Sequence, residues 1–159
     1  MSGVLKEKDA NQKGIDEVYP PNGVVKLEEP FEDVRGSIQP LVDTLMNSAI
    51  IIESKAGSIR ANHYHKTDWH YCYVLSGEIE YIHRPTNSNN APETISVRKG
   101  EMVFTPPMVD HAMKFLVDTV FLTLSRNPRD QVSYENDVVR VNMIPPKGLK
   151  YWTPGSGNK

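Results

Sequence analysis

Ten short runs, each four to seven residues long and many of them β-branched or aromatic, recur at 24–27, 37–42, 48–53, 59–65, 69–75, 78–83, 94–97, 102–105, 111–115 and 120–125. Gly, Pro, Asn or Asp bounds them. Runs this short, at near-regular spacing and separated by turn residues, predict strands, and ten of them predict an all-β domain built as a sandwich or barrel. Only 41–46 carries a pattern that could hold a helical turn. The stretch from Pro85 to Pro92, rich in Asn, Thr and Ser, is a surface loop joining two strands.

The chain has 159 residues, enough for one hydrophobic core and too few for a second full domain. Residues 1–23 mix charged and amide side chains and end in Tyr19-Pro20-Pro21-Asn22-Gly23, the pattern of a flexible tail that stops at a turn. The barrel is expected over 24–143. Residues 144–159 form an extension broken by Pro and Gly, in which Tyr151 and Trp152 would pack on the domain and the last five residues would not. With 18 basic and 20 acidic residues the net charge is −2, without the concentrated basic surface that nucleic acid requires. There is no apolar run of about 18 residues to cross a membrane and no secretory signal pattern at the start. The single cysteine, Cys72, cannot form an internal disulfide, so a cytoplasmic location is expected.

Histidine placement carries the chemistry. His63, His65 and His70 fall within eight residues, His111 follows 41 residues after His70, and His83 stands apart and receives no role. Side chains two apart on a strand share a face, so His63 and His65 pair if 59–65 is extended. Beyond the turn Lys66-Thr67-Asp68, alternation puts His70, Cys72 and Val74 on one face and Trp69, Tyr71 and Tyr73 on the other. Converging neutral imidazoles suit a divalent transition metal such as iron, zinc, manganese, nickel or copper. A helical His-Glu-x-x-His metal site is absent.

The stretch Gly57-Ser-Ile-Arg-Ala-Asn-His63-Tyr-His65-Lys-Thr-Asp-Trp-His70-Tyr-Cys-Tyr-Val-Leu-Ser-Gly77 resembles the first cupin motif, G-x5-H-x-H-x4-E-x6-G, at every spacing, with His70 in the Glu position. The run from Gly100 through Pro106 to His111 and Phe115 is similar to the second, G-x5-P-x-G-x2-H-x3-N, with Met108 and Phe115 replacing Gly and Asn. The resemblance implies a jelly-roll barrel, a second turn of altered shape at Met108, and His63, His65, His70 and His111 as metal ligands. It also implies a homodimer, formed through an edge of the sheets. Replacing a carboxylate by imidazole at position 70 would shift preference from hard toward borderline metals.

Three shorter segments resemble the nucleotide-sugar cupins, the 3,5-epimerases and 3,4-ketoisomerases. Phe31-Glu-Asp33-Val-Arg35-Gly36-Ser-Ile38 is similar to their F-x-D-x-R-G-x-F strand, Arg60-Ala-Asn-His63 to their R-G-x-H segment, and 120–134 to the closing strand of the ketoisomerases. This resemblance implies proton abstraction beside a ketone, with His63 as base, His65 as its partner or a second base, and Tyr73 or Tyr134 as acid. Arg35 and Arg60 would hold the substrate diphosphate, with Tyr73 beside the small-molecule substrate. A metal-dependent oxygenase or lyase on the same histidines, and a non-catalytic sugar- or small-molecule-binding module, are the alternatives. A lone pair given to a metal cannot accept a proton, so His63 cannot be ligand and base at once.

Overall fold

A computed structural model describes residues 19–144. Its strands are β1 (Gly23–Val24), β2 (Phe31–Asp33), β3 (Gly36–Ile38), β4 (Ser48–Ser54), β5 (Ile59–His65), β6 (His70–Ser76), β7 (Glu78–Pro85), β8 (Glu93–Arg98), β9 (Met102–Thr105), β10 (Val109–Lys114), β11 (Thr119–Ser125) and β12 (Val138–Arg140), with one helix, α1 (Gln131–Asp137), before the last strand. Two five-stranded sheets, ordered β1-β9-β6-β11-β4 and β12-β5-β10-β7-β8, form the body, and β2-β3 is a separate hairpin. The strand pairings are antiparallel, which fits a half-covered sandwich of alternating strands.

The sandwich interior is apolar at one end and polar at the other. Cys72, Val74 and Phe121 from the first sheet meet Ile79, Tyr81, Val97, Met113 and Phe115 from the second. The outer face of the first sheet carries Trp69, Tyr71, Met102 and Phe104, covered by Val25, Leu27, Leu41 and Val42 from the segment before β4. Strand β6 is therefore covered on both faces, and its alternation follows the sequence reading. Residues 41–46 cover this face without forming a helical turn, and the helix lies instead at α1. Asp130 caps α1, its side chain accepting the Ser133 N–H at 2.9 Å.

Two residues depart from the second motif. Met108 takes φ +60°, a left-handed conformation at the position where the second motif has glycine. Phe115, in the position where the motif has Asn, is buried and stacks on Phe121 at 5.7 Å. The expectations for 1–18 and for 145–159, including Tyr151 and Trp152, lie outside the described residues. Among the described residues no helix is long and apolar enough to cross a membrane.

Candidate functional site

A β-bulge brings the histidines into phase. Pairing between β10 and β5 runs Lys114 to Ile59, Met113 to Arg60 and Ala112 to Ala61, then skips one residue so that His111 faces His63. The extra residue is Asn62, which with Ala61 takes positive φ, +57° and +65°. Asparagine tolerates this region, and its side chain is held by Ile144, donating to the carbonyl at 2.6 Å and accepting the N–H at 3.1 Å. An unbroken ladder would set Asn62 opposite His111 and turn His63 and His65 out of phase with it.

All four clustered histidines are buried around a cavity of about 130 Å³ that Arg60, Cys72, Thr123, Arg129 and Tyr134 also line. Ring centroids lie 4.6 Å apart for His63 and His65, 4.8 Å for His63 and His111, and 5.3 Å from His70 to both His65 and His111. One nitrogen from each of His63, His65 and His111 falls within 4.8 Å of the others, and His70 is not part of that triad.

Second partners fix two of these rings. His65 Nδ1 donates to Asp137 Oδ2 at 3.2 Å, and His111 Nδ1 donates to the Val109 carbonyl at 2.9 Å, which leaves each Nε2 lone pair free. Burial would raise the Asp137 carboxyl, but hydrogen bonds from the His65 ring, the Thr67 hydroxyl and the N–H groups of Asp68 and Thr67 hold it far below the usual carboxylate range. Burial and the neighbouring histidines push His63 and His70 well below the ordinary imidazole value and His111 down to about 3, so these three rings are neutral. Burial raises the Tyr134 phenol, partly countered by Arg129, whose guanidinium carbon lies 4.6 Å over its ring. Tyr134 thus carries its proton at neutral pH. Burial also pushes the Cys72 thiol up to about 11, so it is not a nucleophile.

The other residues singled out from sequence divide. Tyr134 reaches the histidines, with ring centroids 6.2 Å from His63 and 5.8 Å from His65. Arg60 lines the cavity, but its guanidinium already donates to Ser54 Oγ at 2.7 Å and to the Glu53 carbonyl at 2.9 Å. Arg35 is not brought to it. That side chain sits on the exposed β2-β3 hairpin, forked onto the Asp33 carboxylate. Tyr73 also lies elsewhere, on the outer face of β6 against the Trp69 cluster, because alternation opposes it to His70. His83 stacks on Tyr81 at 5.0 Å and accepts from Asn22 Nδ2 at 2.7 Å, a structural role. Arg129 and Asp137 were not read from the sequence. Asp137 is 72 residues from its histidine, and the signal that could have found it is the cap residue Asp130, which starts the helix that ends at Asp137.

The cupin domain family matches residues 50–124. Among solved structures the chain is similar to QdtA, a sugar 3,4-ketoisomerase from Thermoanaerobacterium thermosaccharolyticum in complex with TDP, at TM-score 0.60 and 17% identity, covering 75% of this chain and 87% of that one. It is also similar to dTDP-4-dehydrorhamnose 3,5-epimerase from Sulfolobus tokodaii (TM-score 0.55, 15% identity, 67% and 77% covered) and to a 3,4-ketoisomerase from Helicobacter canadensis (0.56, 18%, 68% and 88%). No curated protein matches. At these identities the likeness is one of fold. The matched span contains β5 through β10 and with them all four clustered histidines, so what folds over residues 50–124 is a cupin domain.

Proposed function

We propose that the histidine cavity moves a proton at the carbon beside the ketone of a nucleotide-linked sugar, making the chain an isomerase or epimerase. The observation that carries this reading is the His65–Asp137 pair across from Tyr134. A base beside a ketone needs its protonated form stabilised once it has taken the proton, and Asp137 does this for His65 while fixing the ring so that Nε2 faces the cavity. His63 was the expected base, but it is held neutral and has no carboxylate behind it, so it takes the neighbouring place. Tyr134, kept protonated, is the donor to the developing enolate or its carbon. Arg60 and Arg129, the arginines that line the cavity, hold the diphosphate, while Arg35 stays on the β2-β3 hairpin. The solved relatives bound to TDP or to TDP-4-keto-6-deoxyglucose support that substrate class. A homodimer belongs to the same reading, since β2-β3 forms no larger sheet and exposes Phe31, Val34 and Ile38.

A second reading rests on a different observation. Three histidine nitrogens within 4.8 Å of one another, those of His63, His65 and His111, fit a divalent transition metal, with His70 lining the same cavity. Such an ion would supply Lewis-acid polarisation of a carbonyl. One experiment separates the two. The protein is incubated with thymidine- and uridine-diphosphate-linked 4-keto sugars in heavy water, before and after chelation, and the sugar protons are followed by NMR. Exchange that survives chelation and disappears in His65→Ala supports the base reading. Exchange lost on chelation and restored by stoichiometric metal supports the metal centre, and no exchange with any such sugar overturns the sugar assignment.

A further inference from the structure

Among the described residues, four buried side-chain polar atoms have no hydrogen-bond partner: Ser48 Oγ, Trp69 Nε1, His70 Nδ1 and Ser125 Oγ. Three of them lie in one line across the first sheet. His70 on β6 stands directly opposite Ser125 on β11, and Ser125 stands opposite Ser48 on β4. Opposed residues on antiparallel strands project to the same face. That face is the inner one, because Phe121 and Thr123 of β11 and Ile52 of β4 line the histidine cavity, and Ser125 and Ser48 share their phase. His70 is 5% exposed and Ser125 0%.

A polar atom sealed from solvent without a partner is unfavourable, and native interiors contain few of them. Three in a row describe a polar slot beneath His70. Opposed Cβ atoms on neighbouring strands stand about 4.5–5.5 Å apart, a separation that one water molecule spans with two ordinary hydrogen bonds. His70 Nδ1 and Ser125 Oγ give such a water two partners, the lower end of the two to four that a buried water uses, and Ser48, one strand further on, stands on the far side of Ser125. We propose that Ser125, backed by Ser48, holds a buried water against His70 Nδ1 and is thereby a positioning residue for the histidine cluster.

The consequence is a shared tautomer. His65 and His111 already commit Nδ1 outward, to Asp137 and to the Val109 carbonyl. With its Nδ1–H donated to the water, His70 joins them and turns an Nε2 lone pair toward the cavity. This holds whether the cavity takes a sugar or a metal, so it does not stand or fall with the function proposed above.

The test reads the ring itself. In protein labelled with 15N-histidine and freed of metal by chelation, long-range 1H–15N correlation spectra report each tautomer, with the His70 signals assigned by their loss in His70→Gln. The wild type should show His70 protonated at Nδ1. Ser125→Ala should shift that pattern while His65 and His111 keep theirs, and Ser125→Thr, which retains the hydroxyl, should restore it. Melting gives a second readout. An unpartnered hydroxyl would make Ser125→Ala neutral or stabilising, whereas removal of a water-holding group lowers Tm. If Ser125→Ala does not fold, Ser48→Ala on the edge strand β4 should shift His70 in the same direction by a smaller amount. A His70 ring protonated at Nε2 in the wild type, or an unchanged His70 pattern in these alanine variants, overturns the proposal.

Discussion

Asp137 holds two structures together, the His65 ring and the turn at Thr67 and Asp68, through hydrogen bonds to one carboxylate. Asp137→Asn keeps the shape but gives up the charge that stabilises a protonated His65, and it presents an N–H₂ where an acceptor is needed. Exchange beside the ketone should fall roughly 10²-fold or more, the contribution of a positioned general base. The deuterium NMR assay checks this. Tyr134→Phe should slow the same exchange, while Tyr73→Phe, on the far face of β6, should leave the rate unchanged. An equal effect of the two phenol deletions would show that neither tyrosine acts at the cavity. At this scale the four histidines were legible because a spacing of two on a strand fixes a shared face. Tyr73, three residues beyond His70, falls on the opposite face of β6 by the same alternation and packs with the Trp69 cluster. Arg35 lies away from the cavity because its guanidinium pairs with Asp33 two residues away, which a motif letter does not reveal.

The bulge at Asn62 determines whether β5 delivers its histidines to the cavity. Asn62→Gly keeps the left-handed backbone and loses only the two hydrogen bonds to Ile144, at a net cost of about 1–3 kcal/mol for the pair. Asn62→Val loses the same bonds and adds a β-branched side chain where a left-handed residue already costs roughly 1–2 kcal/mol. The glycine variant should therefore retain exchange with a modestly lower Tm, and the valine variant should lose both, as thermal melts and the NMR assay together would show. A fully active valine variant would mean that the register does not depend on the bulge. The strands themselves were legible from β-branched and aromatic runs between turn residues, and 59–65 and 102–105 match β5 and β9 end to end. Helix α1 was not, because seven residues containing Val, Ser, Tyr, Asn and Asp carry weak helical propensity and depend on the Asp130 cap. β12 was missed for a related reason. Three residues are too few to show alternation, and Val138–Arg140 becomes a strand only through pairing with β5.

For the whole molecule, burying neutral histidines ties folding to pH. His63, His70 and His111 have folded-state values below the ordinary imidazole value, with His111 at about 3, so the unfolded chain binds more protons than the folded one below pH ~6.5. Stability is therefore fully present above ~6.5 and falls as pH drops toward the folded values. Each such histidine contributes a slope of about 1.4 kcal/mol per pH unit once pH is well below 6.5, and three together approach about 4 kcal/mol per unit. Asp137 has the opposite displacement relative to its charge. Its depressed value stabilises the fold fully above the ordinary carboxylate range and that stability is lost only at lower pH, so it adds no pH dependence between pH 7 and 5. Chelated protein melted across this interval should show a Tm that falls with acidity ever more steeply. His111→Gln, which removes one of the three protons, should flatten the limiting slope by about a third. A Tm independent of pH over that range would mean that the histidines are hydrated and already titrate at ordinary values, and the cavity would then lack the dry, neutral rings on which both readings of its chemistry depend.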